Sequence, residues 1–573
     1  MVKISKKNQM NKKIQILKKK IKEHNIDGYI IPKNDEFFSE YAAVDRLKVI
    51  SNFNGSAGIA VVSLKKNYLF VDGRYTIQAK HQSGNDFEII EIHKYLPKKI
   101  IKNLVLGYDP SLFTKSQIEY YFGKSLKLKK IEKNLIDEIY VKKKIVNNII
   151  FSLSTKIVGE DTKSKIYKIK KILKANNADY LFISAPENVA WIMNIRGWDN
   201  PNSPIPNCRL IIGANGMKYL ITKKIKASKI IKEKKFNKRQ IIDPERFLNL
   251  INELKGKKFI IDKLSCSIKN EDIIKTKFKI IKNTDPCYKL KSIKNSVEIK
   301  NMIKAHIQDG VALTKFIFWM KEKNKKLITE LYAEKKLEKF RKLNKDYLLP
   351  SFNTIAGTGP NAALPHYRST KSTNRVIRKK DIFLCDSGGQ YKYGTTDVTR
   401  TLCFSKPSNK IRNIFTKVLK GHISVATSNL KKDNNGKKVD ARARQFLKKD
   451  GLDYAHGTGH GVGFFSNVHE GPQSITKINT VKLEEGMIVS NEPGYYKINQ
   501  FGIRIENLVY IKKSKNKLFF ENLTLAPIDK ELINYNLLNN LEKDYLLKYH
   551  LNIYSKLSKY LNLKERKWLA SFI

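Results

Sequence analysis

A chain of 573 residues is too long for one compact core and points to about three or four domains. With 41% apolar and 10% aromatic residues it has ample material to bury, which excludes a disordered chain. The net charge of +58 is extreme, but the lysines run through every segment and no RNP, zinc-finger or helix-turn-helix pattern accompanies them. The charge therefore argues for solubility and nonspecific adhesion to polyanions, not for specific nucleic-acid recognition; joint over-use of Lys, Asn and Ile is what an AT-rich genome produces.

In chain order, the opening stretch MVKISKKNQMNKKIQILKKKIKEHNIDGYIIPKND has many lysines but no apolar core and no small-residue cleavage site. No secretory signal is expected there, and IQILKKKIKEHNI has the spacing of an amphipathic helix. DGYIIP, GIAVVSL, NYLFVDGRY and LVLGYDP read as strands bounded by turn residues, giving an α/β unit over 1–145. KIYKIKKILKANNADYLFISAPENVAWIMNIRGW restarts the same logic of helix, strand and helix, over 150–288. A weak internal repeat is expected, although sequence identity does not display it.

Around NTDPCYKLKSIKNSVEIKNMIKAHIQDGVALTKFIFWM long helices begin, with Ser296 expected as a cap and Glu298 in the first turn. Residues 292–512 carry the chemistry, and 513–573 read as a short linker and helices. No apolar run approaches about 18 residues, so no membrane span is expected. The five cysteines (Cys208, Cys266, Cys287, Cys385 and Cys403) are scattered and lack CxxC spacing, which fits a reducing, cytoplasmic compartment.

The chemistry starts at DIFLCDSGGQYKYGTTDVTRTLCF. Side chains alternate along a strand, so Ile382, Leu384 and Asp386 share one face, and Asp397, Thr399 and Thr401 share another. With GGQYKYG as the turn, a hairpin sets Asp386 beside Asp397. Carboxylates about 4–5 Å apart repel unless a proton or cation separates them; the alternative is two unrelated turn aspartates. Further on, Ile488, Ser490 and Glu492 share a face before Pro493-Gly494 breaks the strand, and GIRIENLVY places Arg504 and Glu506 on one face. A solvated sheet face is the plainer reading of that pattern. HGTGHGVGFFSNVHEG concentrates His456, His460 and His469 among glycines, which are expected to let backbone approach a substrate. Asp386, Asp397, His460, Glu492 and Glu506 together offer four carboxylates and one imidazole. That set balances two divalent cations about 3.5–4 Å apart and makes a bridging hydroxide available near neutral pH. Its oxygen-rich character favours Mn²⁺, with Co²⁺ or Zn²⁺ able to substitute.

The motifs LPSFNTIAGTGPNAALPHY, DSGGQYKYGTTDVTRT, HGTGHGVGFFSNVHEGP, SNEPGYY and GIRIENL, in this order, resemble the aminopeptidase P family of pita-bread metallopeptidases. SNFNGSAGIAVV, VDGRYTIQA and NVAWIMNIRGWDNPNSPIPN resemble its N-terminal domains, and WLASFI the end of its three-domain form. The resemblance implies an α/β (α+β) architecture: two N-terminal creatinase-like α/β domains, a pita-bread catalytic domain and a short helical C-terminal extension. It assigns Asp386, Asp397 and Glu506 to one metal, and Asp397, His460, Glu492 and Glu506 to the other. Glu492 also moves the proton of the bridging water; His366 and His469 act on the scissile carbonyl and leaving group. Arg74, His366, His456, His469 and Arg504 meet the substrate. The implied reaction is release of one N-terminal residue ahead of proline from peptides by a cytosolic homodimer. A prolidase-type dipeptidase and a non-catalytic pita-bread binding protein are the alternatives. His306 is expected to be structural.

Overall fold

The segments read as strands near the chain start form them: Gly28–Pro32, Gly58–Ser63, Asn67–Val71 and Val105–Tyr108. In this computed structural model, residues 2–42, 44–124, 126–140, 148–323 and 327–573 are described. The leading helix, Val2–Glu23, buries Met10, Ile14, Leu17 and Ile21, a three-to-four spacing that keeps its lysines outward. The six-stranded sheet it covers runs Glu88–Glu91, Asn67–Val71, Gly58–Ser63, Gly28–Pro32, Val105–Tyr108, Lys127–Lys130. A second six-stranded sheet runs Ile241–Ile242, Lys218–Ile221, Arg209–Gly213, Tyr180–Ile183, Lys258–Asp262, Lys279–Asn283. Numbered by sequence, both orders are 4-3-2-1-5-6, with antiparallel 1·2 and 2·3 and parallel 3·4, 1·5 and 5·6 pairings. The internal repeat is therefore present in topology. Both sheets belong to one compact unit, residues 1–154 and 160–287; residues 155–159 and 288–573 form the other. Arg74 sits in the turn Gly73–Tyr75 of the first unit, and its side chain lies outside the described residues.

The second unit opens with helix α1 (Ser296–Lys323), which buries Met302, Ala305, Leu313, Phe316, Ile317 and Met320. Its cap is Asn295, one residue before Ser296: Asn295 Oδ1 accepts from the amides of Val297 and Glu298, and Glu298 Oε2 accepts from the Asn295 amide. Helix α2 (Glu330–Lys342) follows, then strands β1 (Tyr347–Pro350), β2 (Ile355–Thr358), β3 (Phe383–Ser387), β4 (Gly389–Tyr391), β5 (Gly394–Thr395) and β6 (Val398–Leu402). The GGQYKYG segment is more than a turn. It supplies β4 and β5 to a sheet ordered β1-β4-β5, while β2-β3-β6 form another. In the β3–β6 register Asp386 faces Thr399, so Asp397 lies just beyond the paired strand, diagonal to Asp386.

Helices α3 (Asn409–Ala426) and α4 (Gly436–Lys448) lead to β7 (Gly459–Gly461), β8 (Glu470–Ile475), β9 (Ile488–Asn491), β10 (Gly494–Lys497), β11 (Phe501–Arg504), β12 (Asn507–Ser514) and β13 (Lys517–Asn522). A five-stranded sheet has the order β8-β7-β9-β12-β13, and β10 pairs with β11. GIRIENLVY is thus two strands. The chain leaves β11 at Ile505, whose amide bonds to the Pro493 carbonyl, and the Glu506 amide bonds to Thr399 before β12 begins. The boundary expected at 512/513 falls inside the β12–β13 hairpin. Beyond it, α5 (Asn540–Leu557) and α6 (Leu563–Ala570) bury Leu546, Ile553, Leu557 and Leu569 in the core that also holds Phe501, Ile503, Val418 and Leu419.

Candidate metal centre

Asp386 near the end of β3, Asp397 before β6, His460 in β7, Glu492 after β9 and Glu506 between β11 and β12 come from separate strand ends. Ligand atoms of Asp397, His460 and Glu506 all lie within 4.8 Å of one another. His460 Nε2 is 3.4 Å from Asp397 Oδ2 and 3.7 Å from Glu492 Oε1. Its Nδ1 donates to the Gly461 carbonyl at 2.9 Å, leaving Nε2 with a lone pair directed at the carboxylates when neutral. The flanking glycines serve the sheet: a Cβ on Gly459 would lie 1.9 Å from the Ser490 carbonyl, and one on Gly461 2.3 Å from the Glu470 carbonyl. Strand packing, not substrate approach, is what requires glycine at these two positions.

The carboxylates are crowded and short of partners. Asp386 Oδ1 and Asp397 Oδ1 are buried without a hydrogen bond. Burial pushes the Asp386 carboxyl up to about 7; Arg504 pulls it back, and the charges of Asp397 and Glu492 add to the rise. Burial, then the charges of Asp397, Glu492 and Asp386, hold Glu506 well above the carboxylate range. Burial alone lowers the His460 value, but the hydrogen bond to Asp397 and the charge of Glu492 raise it to about 9. Without added cations, such a cluster is held together by shared protons and the Arg504 ion pair. Two orphaned oxygens, converging acids and one correctly aimed imidazole nitrogen fit a pair of divalent ions. A contrasting cluster, Cys403, Asp529 and Glu531, also has ligand spacing. There the Lys321 ammonium lies 2.6 Å from Asp529 and 2.9 Å from Glu531, so the chain provides its own cation.

Hydrogen bonds orient each candidate ligand. The Thr399 hydroxyl donates to Glu506 Oε2 at 2.8 Å and accepts from Arg504 Nε at 3.0 Å. Arg504 Nη2 donates to Asp386 Oδ2 at 2.6 Å, and Nη1 to the Tyr496 hydroxyl at 2.6 Å and the Pro365 carbonyl at 3.3 Å. The Ser490 hydroxyl donates to Glu492 Oε1 at 3.1 Å and accepts from the His460 amide. Behind the hairpin, Asp309 of α1 accepts from Arg341 Nε at 2.7 Å, the Tyr391 hydroxyl at 2.8 Å and the Thr396 hydroxyl at 2.9 Å. Arg341 Nη2 also donates to Ser387. One buried ion pair thus holds both residues adjacent to Asp386 and Asp397.

The expected substrate residues separate. Arg504 is buried, with its nitrogens committed to Asp386, Thr399, Tyr496 and Pro365, so it faces the ligands. His456 Nε2 accepts from the Tyr496 hydroxyl at 2.8 Å and Nδ1 donates to the Gly457 carbonyl. The His469 ring lies 4.1 Å, centre to centre, from that of His460. His366 is half-buried and follows Pro365. His306 donates to the Met302 carbonyl within its own helix and is buried. Tyr496, Asp309 and Arg341 were not singled out in the sequence. Tyr496 had a signal, since it shares a strand face with Gly494, which pairs with Arg504.

Comparison with known proteins agrees with this geometry. Residues 300–513 match metallopeptidase family M24, 13–138 and 141–298 each match a creatinase/prolidase N-terminal domain, and 516–571 match the C-terminal region of peptidase M24. A probable Xaa-Pro aminopeptidase P of Laccaria bicolor is 34% identical over 96% of this chain and 91% of its own length. Xaa-Pro aminopeptidase 1 of Dictyostelium discoideum is 34% identical over 98% and 96%. The crystal structure of X-prolyl aminopeptidase from Caenorhabditis elegans, described as a cytosolic enzyme with a di-nuclear active site, has a TM-score of 0.91 at 29% identity, covering 98% of this chain and 99% of that one. Prolidase from Pyrococcus furiosus, 25% identical with a TM-score of 0.51, covers 62% of this chain. End-to-end likeness at 34% identity, with the matched regions in the same order, shows that the chain belongs to metallopeptidase family M24, among the Xaa-Pro aminopeptidases P.

Proposed function

We propose that this chain is a metallo-aminopeptidase that removes the single N-terminal residue preceding proline, using two divalent ions. The observation that carries this is the convergence of Asp397, His460 and Glu506 beside two orphaned carboxylate oxygens. Asp386, Asp397 and Glu506 would hold one ion, and Asp397, His460, Glu492 and Glu506 the other. Four carboxylates and one imidazole suit Mn²⁺, with Co²⁺ or Zn²⁺ as substitutes. Bound there, two such ions would supply an activated water near neutral pH and polarise the scissile carbonyl.

The chain's own residues do the rest. Glu492, oriented by Ser490, receives the proton of the attacking water. The bond ahead of proline is a tertiary amide without an N–H, so recognition has to come from the carbonyl and the ring. His366 and His469 meet the carbonyl and protonate the departing imino nitrogen. His456, held by Tyr496 and the Gly457 carbonyl, lines the same cleft. Arg504, saturated by Asp386, Thr399 and Tyr496, fixes the ligand field. A cytosolic homodimer is part of this reading. The cytosolic part is supported by the description of the worm enzyme as cytosolic; among the described residues no helix is long and apolar enough to cross a membrane.

The test is metal content and cleavage of an Xaa-Pro tripeptide. About two ions per chain, activity lost to a chelator and restored by Mn²⁺, and a loss on the order of 10³-fold or more in Asp397→Ala are expected. An intact, metal-loaded protein that leaves the tripeptide whole defeats the proposal. Cleavage of Xaa-Pro dipeptides alone favours the prolidase alternative, whose structural relative spans only part of this chain.

A further inference from the structure

Glu330, the first residue of α2, is fully buried, and no lysine or arginine side chain neutralises it among the described residues. Its carboxylate is met entirely by neutral donors. Oε1 accepts from the Thr358 amide at 2.8 Å and Asn361 Nδ2 at 3.0 Å. Oε2 accepts from Asn361 Nδ2 at 3.0 Å, the Tyr367 hydroxyl at 2.9 Å, the Ser369 hydroxyl at 3.4 Å and the Arg375 amide at 3.0 Å. Every one of these donors lies between residues 358 and 375, the segment that contains His366. A buried carboxylate is costly unless hydrogen bonds satisfy it. Its partners here are drawn from one irregular segment, so the ion and the segment's shape depend on each other. The contacts also bracket one residue: Arg504, which holds Asp386, bonds to the Pro365 carbonyl, and Glu330 bonds to the Tyr367 hydroxyl.

We infer that Glu330 is a positioning residue for catalysis: its carboxylate gathers the 358–375 segment and so fixes His366 over the metal centre. This rests on the role given to His366 under the proposed function. Glu330 touches neither substrate nor metal; it acts through Tyr367 and Asn361. Losing this clamp displaces an imidazole without removing it, and a displacement of about 1 Å costs on the order of 10²-fold in rate.

The experiment is a double-mutant cycle on the metal-loaded full chain with an Xaa-Pro tripeptide, measuring kcat, KM, metal per chain and thermal midpoint. Glu330→Gln keeps the volume but turns one acceptor into a donor facing donors. It is expected to lower kcat about 10- to 100-fold with KM and metal content unchanged. In His366→Ala the same change is expected to have no further effect, because the group it positions is gone. Tyr367→Phe removes one donor and keeps the ring; it should show a smaller kcat loss that also vanishes in His366→Ala, and it carries the test if Glu330→Gln does not fold. Losses that add to those of His366→Ala, or wild-type kcat in folded Glu330→Gln or Tyr367→Phe while His366→Ala is crippled, overturn the inference alone. Full activity in His366→Ala overturns the role of His366, and the inference with it.

Discussion

His460 reaches the carboxylates through Nε2 because a main-chain carbonyl takes up its other nitrogen. That detail leaves no trace in the sequence, whereas the five candidate ligands stand out in it. They stand out because few side chains bind hard divalent ions and because strand alternation puts Asp386 on a predictable face. Their supports do not, since Arg504 meets Asp386 across 118 residues of chain and Asp309 meets Thr396 across 87. Local spacing carries no record of such encounters. The same is true of Arg504 itself, expected at the substrate and found bound to a ligand. The raised carboxyls give a prediction. In metal-free protein, groups such as Asp386, raised to about 7, contribute stability that is complete below their unfolded value and lost as pH rises through about 7. Ions must also displace those protons to bind at lower pH. The Mn²⁺-induced rise in thermal midpoint should therefore be small at pH 5.5 and larger at pH 8; an equal rise at both would contradict the picture.

At the scale of elements, local patterning succeeded where one core face dominates. The N-terminal helix and the strands DGYIIP and GIAVVSL follow their apolar spacing. It failed where a strand changes partners. GIRIENLVY reads as one strand, yet Ile505 and Glu506 turn their amides to Pro493 and Thr399, which ends one sheet and begins another. The C-terminal segment reads as an appendage but is part of the core. Its helix α5 offers His550 Nε2 as acceptor to the Ile528 amide at 3.2 Å. Burial, then the Arg400 charge, lowers the pKa of His550 to about 4. A depressed folded value means the stability is present above the unfolded pKa of about 6.5 and lost as pH falls towards 4. Between pH 7 and 5 the contribution falls by about 2 kcal/mol. His550→Gln keeps an acceptor and cannot titrate, so its urea-unfolding free energy should lose that much less over the same range. An unchanged pH slope in the variant would show that His550 is not the titrating group.

For the whole molecule, the charge of +58 is spread over both units, so its effects should be general. Binding to a labelled oligonucleotide is expected at about 50 mM salt, with little dependence on sequence, and should fall steeply by about 300 mM as counterion release loses its advantage. Sequence-selective binding that survives high salt would require a recognition surface that composition does not suggest. The catalytic unit, by contrast, depends on particular distant contacts. Arg400, on β6 between the ligands Asp397 and Glu506, donates to the Glu506 carbonyl at 2.7 Å and to the Thr399 carbonyl at 2.8 Å. It also bonds to the carbonyls of Ala526 and Pro527 and to the Tyr549 hydroxyl. This gives the protein a timing rule. Every candidate ligand has been added by residue 506, but the guanidinium that sets the last of them finds three further partners only at Ala526, Pro527 and Tyr549. The backbone of Glu506 is thus fully braced only once the C-terminal segment has joined the core.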